Sequence, residues 1–188
     1  MENRDGKHTR IAFLILLAAL VVALAVIEAL AGHGDGPQGT AAAWQSPLRG
    51  VDDALARKDV SAAVSAWHDA YLAGLGSRRW EGMLAVGGAA LRVGEVAPAR
   101  WAAHAKARQA YLSALLRARQ ARSLEGVLHA TEAFAALGDT GVVTQCLRIA
   151  EDLVAGDPEG RGTQRVRALR ERLTEQSFAR GDSPAGGR

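Results

Sequence analysis

The sequence predicts an all-α protein: a single N-terminal transmembrane helix, then a short α-solenoid of about three helical hairpins closed by a capping helix. Three observations carry this. Ile11 to Ala31 is an almost uninterrupted apolar run. Beyond it Ala and Leu dominate, aromatic residues make up only 5%, and the β-branched residues are mostly scattered Val, which favours helix over sheet. Three short turn-like stretches, ARKDV, RVGEV and ALGDT, then punctuate the chain at comparable intervals.

From Ile11 to Ile27 there are 17 residues without a charge, and with Glu28 to Ala31 the segment reaches 21. At about 1.5 Å per residue it just crosses a hydrocarbon core of about 30 Å. Arg4, Lys7 and Arg10 precede it, and the twenty residues after Ala31 carry only Arg49. The positive-inside rule keeps residues 1–10 in the cytoplasm and sends the rest across the inner membrane, into the periplasm of a Gram-negative host. A competing reading is a cleaved signal peptide, because Ala29-Leu30-Ala31 before Gly32 has a small-x-small form. The apolar run exceeds the usual length of a signal core, and Glu28 fits poorly beside a cleavage site but well at a membrane edge.

Residues 32–45 (GHGDGPQGTAAAWQ with its flank) read as a flexible linker. The repeat domain is predicted over 46–178. Ser46 as N-cap and Pro47 at the first position open a short helix to about Arg57. Lys58-Asp59 turns the chain, and Asp59 caps a second helix whose face is Val60, Ala63, Val64, Trp67, Ala70 and Tyr71. Gly74 and Gly76 are expected to end it. A third helix stops at Gly94, and its Gly87-Gly88 pair suggests a neighbour packed too close for a side chain. A long fourth helix runs from near Pro98 to about Arg122. Ser123 caps the fifth, Gly138-Asp139 leads into the sixth, and an amphipathic helix from Thr163 to about Phe178 buries Val166, Leu169 and Leu173. Residues 179–188 form a disordered tail.

Lys58 and Gly94 lie 36 residues apart, and Gly94 and Gly138 lie 44 apart. Periods of this size suggest stacked helical hairpins. From Pro47 to Ala155 the chain resembles the tetratricopeptide repeat family, on Ala63, Trp67 and Ala70 after the Lys58-Asp59 turn and on Val143, Leu147 and Ala150 after Gly138. The middle unit departs from that pattern, with Lys106 where a small residue belongs and a fourth helix that is too long. The resemblance implies a concave binding face built from the first helix of each hairpin: Asp52, Leu55, Glu81, Leu84, Leu91, Glu125, Leu128 and Glu132. On the fifth helix Glu125, Leu128 and Glu132 occupy a side distinct from the core residues Val127, Ala130 and Phe134. Such a half-apolar, half-acidic groove suits an amphipathic or basic peptide.

Nothing in the chain spells out chemistry. His68, His104 and His129 sit on separate helices without metal-ligand spacing. RVGEVAP and GLGSRR lack the Lys-Ser/Thr of a phosphate loop, and there is no nucleophile elbow. One cysteine, Cys146, excludes an intrachain disulfide and reads as a core residue. A formal charge of +3 is too mild for a nucleic-acid binder. Arg100, His104 and Arg108 form a basic strip, suited to solvent, an acidic protein or an anionic lipid surface. The expectation is therefore a non-enzymatic scaffold or assembly adaptor, with no cofactor, metal, nucleic acid or evident small-molecule substrate. Its partners would be proteins at or in the membrane that residues 11–31 enter. Two alternatives stay open: a cleaved, soluble periplasmic peptide-binding or chaperone-like module, and a structural accessory subunit of a larger membrane complex.

Overall fold

The computed structural model describes residues 43–98, 101–156 and 159–179. The N-terminal tail, the span at 11–31, most of the linker, Arg100 and the tail from 180 lie outside the described residues. Among the described residues no helix is long and apolar enough to cross a membrane. They are all-α, with seven helices and no strand: α1 (Gln45–Ala56), α2 (Val60–Ser77), α3 (Trp80–Val96), α4 (Ala103–Gln120), α5 (Leu124–Ala136), α6 (Thr140–Val154) and α7 (Arg161–Ala179). Each helix packs on the next, and α1 also touches α3, α3 touches α5, and α5 touches α7. The odd-numbered helices thus form one continuous layer, and the even-numbered ones back it.

Two turns follow one recipe. Lys58 adopts φ 59° and Gly138 φ 76°, the left-handed conformation that ends a helix. In both, the next two amides return to the helix just left: Lys58 N–H to Leu55 and Asp59 N–H to Ala54, Gly138 N–H to Ala135 and Asp139 N–H to Phe134. The orphan carbonyls are thereby satisfied. Asp59 accepts from the Ala62 amide at 2.9 Å. Ser123 does the same for α5, accepting from the Gly126 amide at 3.1 Å.

The middle hairpin corrects the expected register. Gly94 is not a turn residue; α3 runs through it to Val96. A Cβ on Gly94 would lie 2.3 Å from the Ala103 Cβ, so glycine stands there because the start of α4 crosses on top of it. The left-handed residue before α4 is Ala102, φ 53°, and α4 begins at Ala103 rather than near Pro98. Lys58 to Ala102 is 44 residues and Ala102 to Gly138 is 36, the expected intervals in reverse order. With this shift Ala107, Tyr111, Ala114 and Ala118 repeat Ala63, Trp67, Ala70 and Gly74, and all eight are buried. Lys106 leaves the crossing position, and α4 has the same 18 residues as α2.

Other boundaries move for similar reasons. α1 starts at Gln45 with Trp44 as its N-cap, not Ser46. Trp44 is buried and lies where a Cβ on Gly82 would come within 2.9 Å of its ring. α2 continues through Gly74 and Gly76 to Ser77, because Gly74 faces Met83 and Val86 of α3 and the Ser77 hydroxyl donates to the Gly74 carbonyl at 2.8 Å. The left-handed Arg78, φ 55°, makes the stop. Gly87 fits the expectation of a close neighbour: a Cβ there would be 2.2 Å from Tyr111. That ring stands edge-on to the fully buried Phe134, 5.9 Å between centroids, so α3, α4 and α5 meet at one point. Val166 and Leu169 of α7 are buried, and Leu173 packs against the core, closing the last hairpin.

Candidate interaction surface

All eight predicted groove residues fall on α1, α3 and α5, and three of their four acids are held by arginines. Asp52 takes Arg92 of α3, with guanidinium nitrogens at 2.9 and 3.2 Å. Glu132 of α5 takes Arg172 of α7. Glu81 accepts from Arg79 at 2.6 Å. Partial burial pushes the Glu81 carboxyl up, and the Arg79 hydrogen bond, its own backbone amide and the Arg79 charge together bring it below its ordinary value. Glu125 lies 3.8 Å from His129, which is also 3.4 Å from Glu132. Leu55, Leu84 and Leu91 are half-buried against the core, and Leu128 is buried outright. Two of these contacts, Asp52 with Arg92 and Glu132 with Arg172, tie neighbouring odd helices together.

Two of the predicted residues do meet in a cleft. Leu128 and Glu132 line a hollow of about 320 Å³ between α5 and α7, with His129, Arg165, Leu169 and Arg172. Its floor is apolar and its rim carries both signs of charge. Beside it His129 stacks on Trp80, 6.0 Å between centroids at 19°, which ties α3 to α5. Leu91 and His104 share another hollow, about 480 Å³, where α3 ends and α4 begins.

Two of the three residues of the expected basic strip are described. Arg100 precedes α4 and lies outside the described residues, His104 is exposed near the helix start, and Arg108 pairs with Asp139 of α6 at 2.6 Å. Sequence reasoning missed the aromatic knot beside it. Trp67 donates its indole N–H to the Val86 carbonyl at 3.0 Å, and Trp101 donates to the Ala90 carbonyl at 3.3 Å. The two rings meet edge-on at 5.2 Å, Tyr71 stacks on Trp67, and the Lys106 ammonium lies 4.7 Å from the Trp101 centroid. It also missed Arg117, which donates from α4 to the Gly74, Leu75 and Arg79 carbonyls at 2.8, 3.0 and 3.1 Å. That guanidinium serves the α2 end, where the helix dipole favours a cation.

Among the described residues no group of three His, Cys, Asp or Glu side chains is placed to hold a metal, and no buried polar side-chain atom lacks a partner. Cys146 is fully buried, and burial pushes its thiol up to about 11, so it is a neutral core group at physiological pH. What this surface offers is area, shape and charge. In comparisons with known proteins, no family model, curated protein or solved structure matches the chain.

Proposed function

We propose that the protein is a membrane-anchored, extracytoplasmic interaction scaffold of tetratricopeptide-like build, in which the α5–α7 cleft receives a segment of a protein partner. The observation that carries this reading is the cleft itself. It is open, has Leu128 and Leu169 at its base, and is rimmed by Arg165, Arg172, His129 and Glu132. Among the described residues Arg165 makes no ion pair with a carboxylate, whereas Glu132 is held by Arg172. The fitting occupant is an amphipathic segment that places one apolar side chain on the leucine floor and an acidic group against Arg165. Binding of this kind gains from buried area and from tethering, which raises the effective concentration against membrane partners.

The test is co-purification of the C-terminally tagged full chain from gently solubilised native membranes, beside an Ala168→Arg variant. Ala168 is exposed and lines the cleft, so the arginine fills the hollow without entering the core. The expected result is a stoichiometric partner retained by the parent and lost by the variant. Recovery from the soluble envelope fraction with Gly32 as first residue overturns the anchor, and a partner that Ala168→Arg keeps overturns the cleft.

A further inference from the structure

Charge is unevenly divided among the first five helices. α1, α3 and α5 carry Asp52, Asp53, Glu81, Glu95, Glu125 and Glu132 against only Arg49 and Arg92. α4 carries Lys106, Arg108, Arg117 and Arg119 with no acid, and α2 has the single acid Asp69. α2 and α4 also hold three exposed large apolar residues, Leu72 at 64%, Leu116 at 56% and Leu75 at 37%, while Val96 at the end of α3 is 51% exposed.

These features converge at one end of the α2–α4 pair. Arg117 bridges from α4 to the last turn of α2, and Gln109 donates to the Tyr71 hydroxyl at 3.2 Å. Leu75 gives its carbonyl to Arg117, Leu116 precedes Arg117 in sequence, and Leu72 stands one turn before Leu75, so all three leucines lie on the two helix stretches that Arg117 joins. Arg78 follows α2 directly, and Arg119 and Arg122 close α4. All three are exposed, and among the described residues none pairs with a carboxylate.

We propose that this α2–α4 end lies against an anionic lipid surface, with Leu72, Leu75 and Leu116 entering the headgroup boundary and Arg78, Arg119 and Arg122 meeting lipid phosphates. Leucines ringed by arginines are the composition that such an interface selects, combining apolar burial with attraction to the surface potential. A second copy of the chain is the weaker occupant, because three of the six acids on α1, α3 and α5, namely Asp52, Glu81 and Glu132, are already bound to Arg92, Arg79 and Arg172. Proximity to the bilayer rests on the anchor reading of residues 11–31; the complementarity of the face does not.

The experiment reconstitutes the full chain with phosphatidylcholine vesicles, alone or mixed with phosphatidylglycerol. An environment-sensitive fluorophore is placed at Leu72→Cys or Leu116→Cys, with Asp53→Cys on α1 as control; Cys146 is fully buried and silent to labelling. The expected result is a blue shift at positions 72 and 116 only when phosphatidylglycerol is present, none at 53, and reversal in about 0.5 M salt as screening shortens. Each of Arg78→Glu and Arg119→Glu should weaken the response at least roughly fivefold, as loss of one surface-facing cation does. Probes that ignore phosphatidylglycerol in chains that float with vesicles overturn the proposal, as does an equal shift at position 53. A shift that needs an added acidic membrane protein assigns the face to that protein and overturns the lipid. A chain that floats only with phosphatidylglycerol supports the face and overturns the anchor, and one that floats with neither overturns both.

Discussion

The outer hairpins and the middle hairpin solve the same problem differently. α1–α2 and α5–α6 are closed by a left-handed residue followed by Asp, at Lys58-Asp59 and Gly138-Asp139. α3 and α4 are joined by the longer connection 97–102, fastened by the Trp101 indole to the Ala90 carbonyl, and they approach so closely that Gly87 and Gly94 have no room for a Cβ. At the Gly138 turn glycine supplies backbone freedom. At Gly87 and Gly94, as at Gly126 of α5, it supplies empty space. The two uses look identical in a sequence and respond oppositely to substitution.

The sharpest way to break this comparison is at the adjacent glycines of α3. Gly87→Ala puts a methyl 2.2 Å from the Tyr111 ring, which is 5% exposed and locked against Phe134. Overpacking of this kind costs about 3 kcal/mol, a fall in Tm of roughly 10 °C for a domain of this size. Gly88→Ala meets nothing closer than the Arg92 guanidinium at 3.8 Å, so the helix gains about 0.5–1 kcal/mol from the reduced freedom of the unfolded chain. Thermal unfolding followed by circular dichroism reads both, and in a Tyr111→Ala background the Gly87→Ala cost should shrink to less than half. Equal effects at 87 and 88 would mean that helix propensity, and not the ring, selects glycine there.

That pair also marks where the sequence was readable. The helices, the Asp59 and Ser123 caps, the Gly138 turn and the buried faces Val127–Ala130–Phe134 and Val166–Leu169 follow from local rules, because each depends on neighbours within a turn. Gly94 misled because a close crossing by Ala103, nine residues on, leaves no local trace. Gly74 misled likewise, since Met83 and Val86 decide its role. The candidate face was legible by layer but not by charge: the partners that neutralise Asp52 and Glu132 lie 40 residues away, at Arg92 and Arg172. Leu128 and Glu132 reached the cleft because α5 is regular; Arg165 was unreadable because it arrives from α7.

A second contrast comes from the cores of the two regions. Cys146 in the last hairpin is fully buried, and burial raises its thiol from 9.0 to about 11. Tyr111 in the middle hairpin is also raised above its ordinary 10.0, by burial first, against a smaller lowering by Arg92. A raised folded-state value means that the unfolded chain releases its proton first, so stability is complete below the unfolded value and is lost as pH climbs toward the folded one. Loss that begins near pH 9 therefore belongs to Cys146, and that of Tyr111 enters only above 10. The Cys146 share is on the order of 2 kcal/mol by pH 11. Urea unfolding at stepped pH should show the early loss in the parent and not in Cys146→Ala; an unchanged slope between pH 9 and 10 in that variant would assign it elsewhere.

The smallest effect distinguishes the two outer hairpins from each other. Asp59 and Asp139 occupy the same place after the same turn, the N-cap position of the helix that follows. Asp59 does cap, accepting from the Ala62 amide. Asp139 makes no side-chain cap bond; its carboxylate reaches across to Arg108 of α4 at 2.6 Å. One aspartate therefore holds a helix end, and the other ties the third hairpin to the second. Asp59→Ala should cost about 1 kcal/mol, a cost that salt leaves intact because the amide stays orphaned whatever the ionic strength. Asp139→Ala should cost about 0.5 kcal/mol, because the Arg108 side chain is half in water. That cost should vanish near 1 M salt, where screening acts within about 3 Å. Equilibrium unfolding of both variants at low and high salt separates the roles: a salt-insensitive Asp139→Ala would mean that Asp139 caps α6 after all, and that the two outer hairpins are closed by one device.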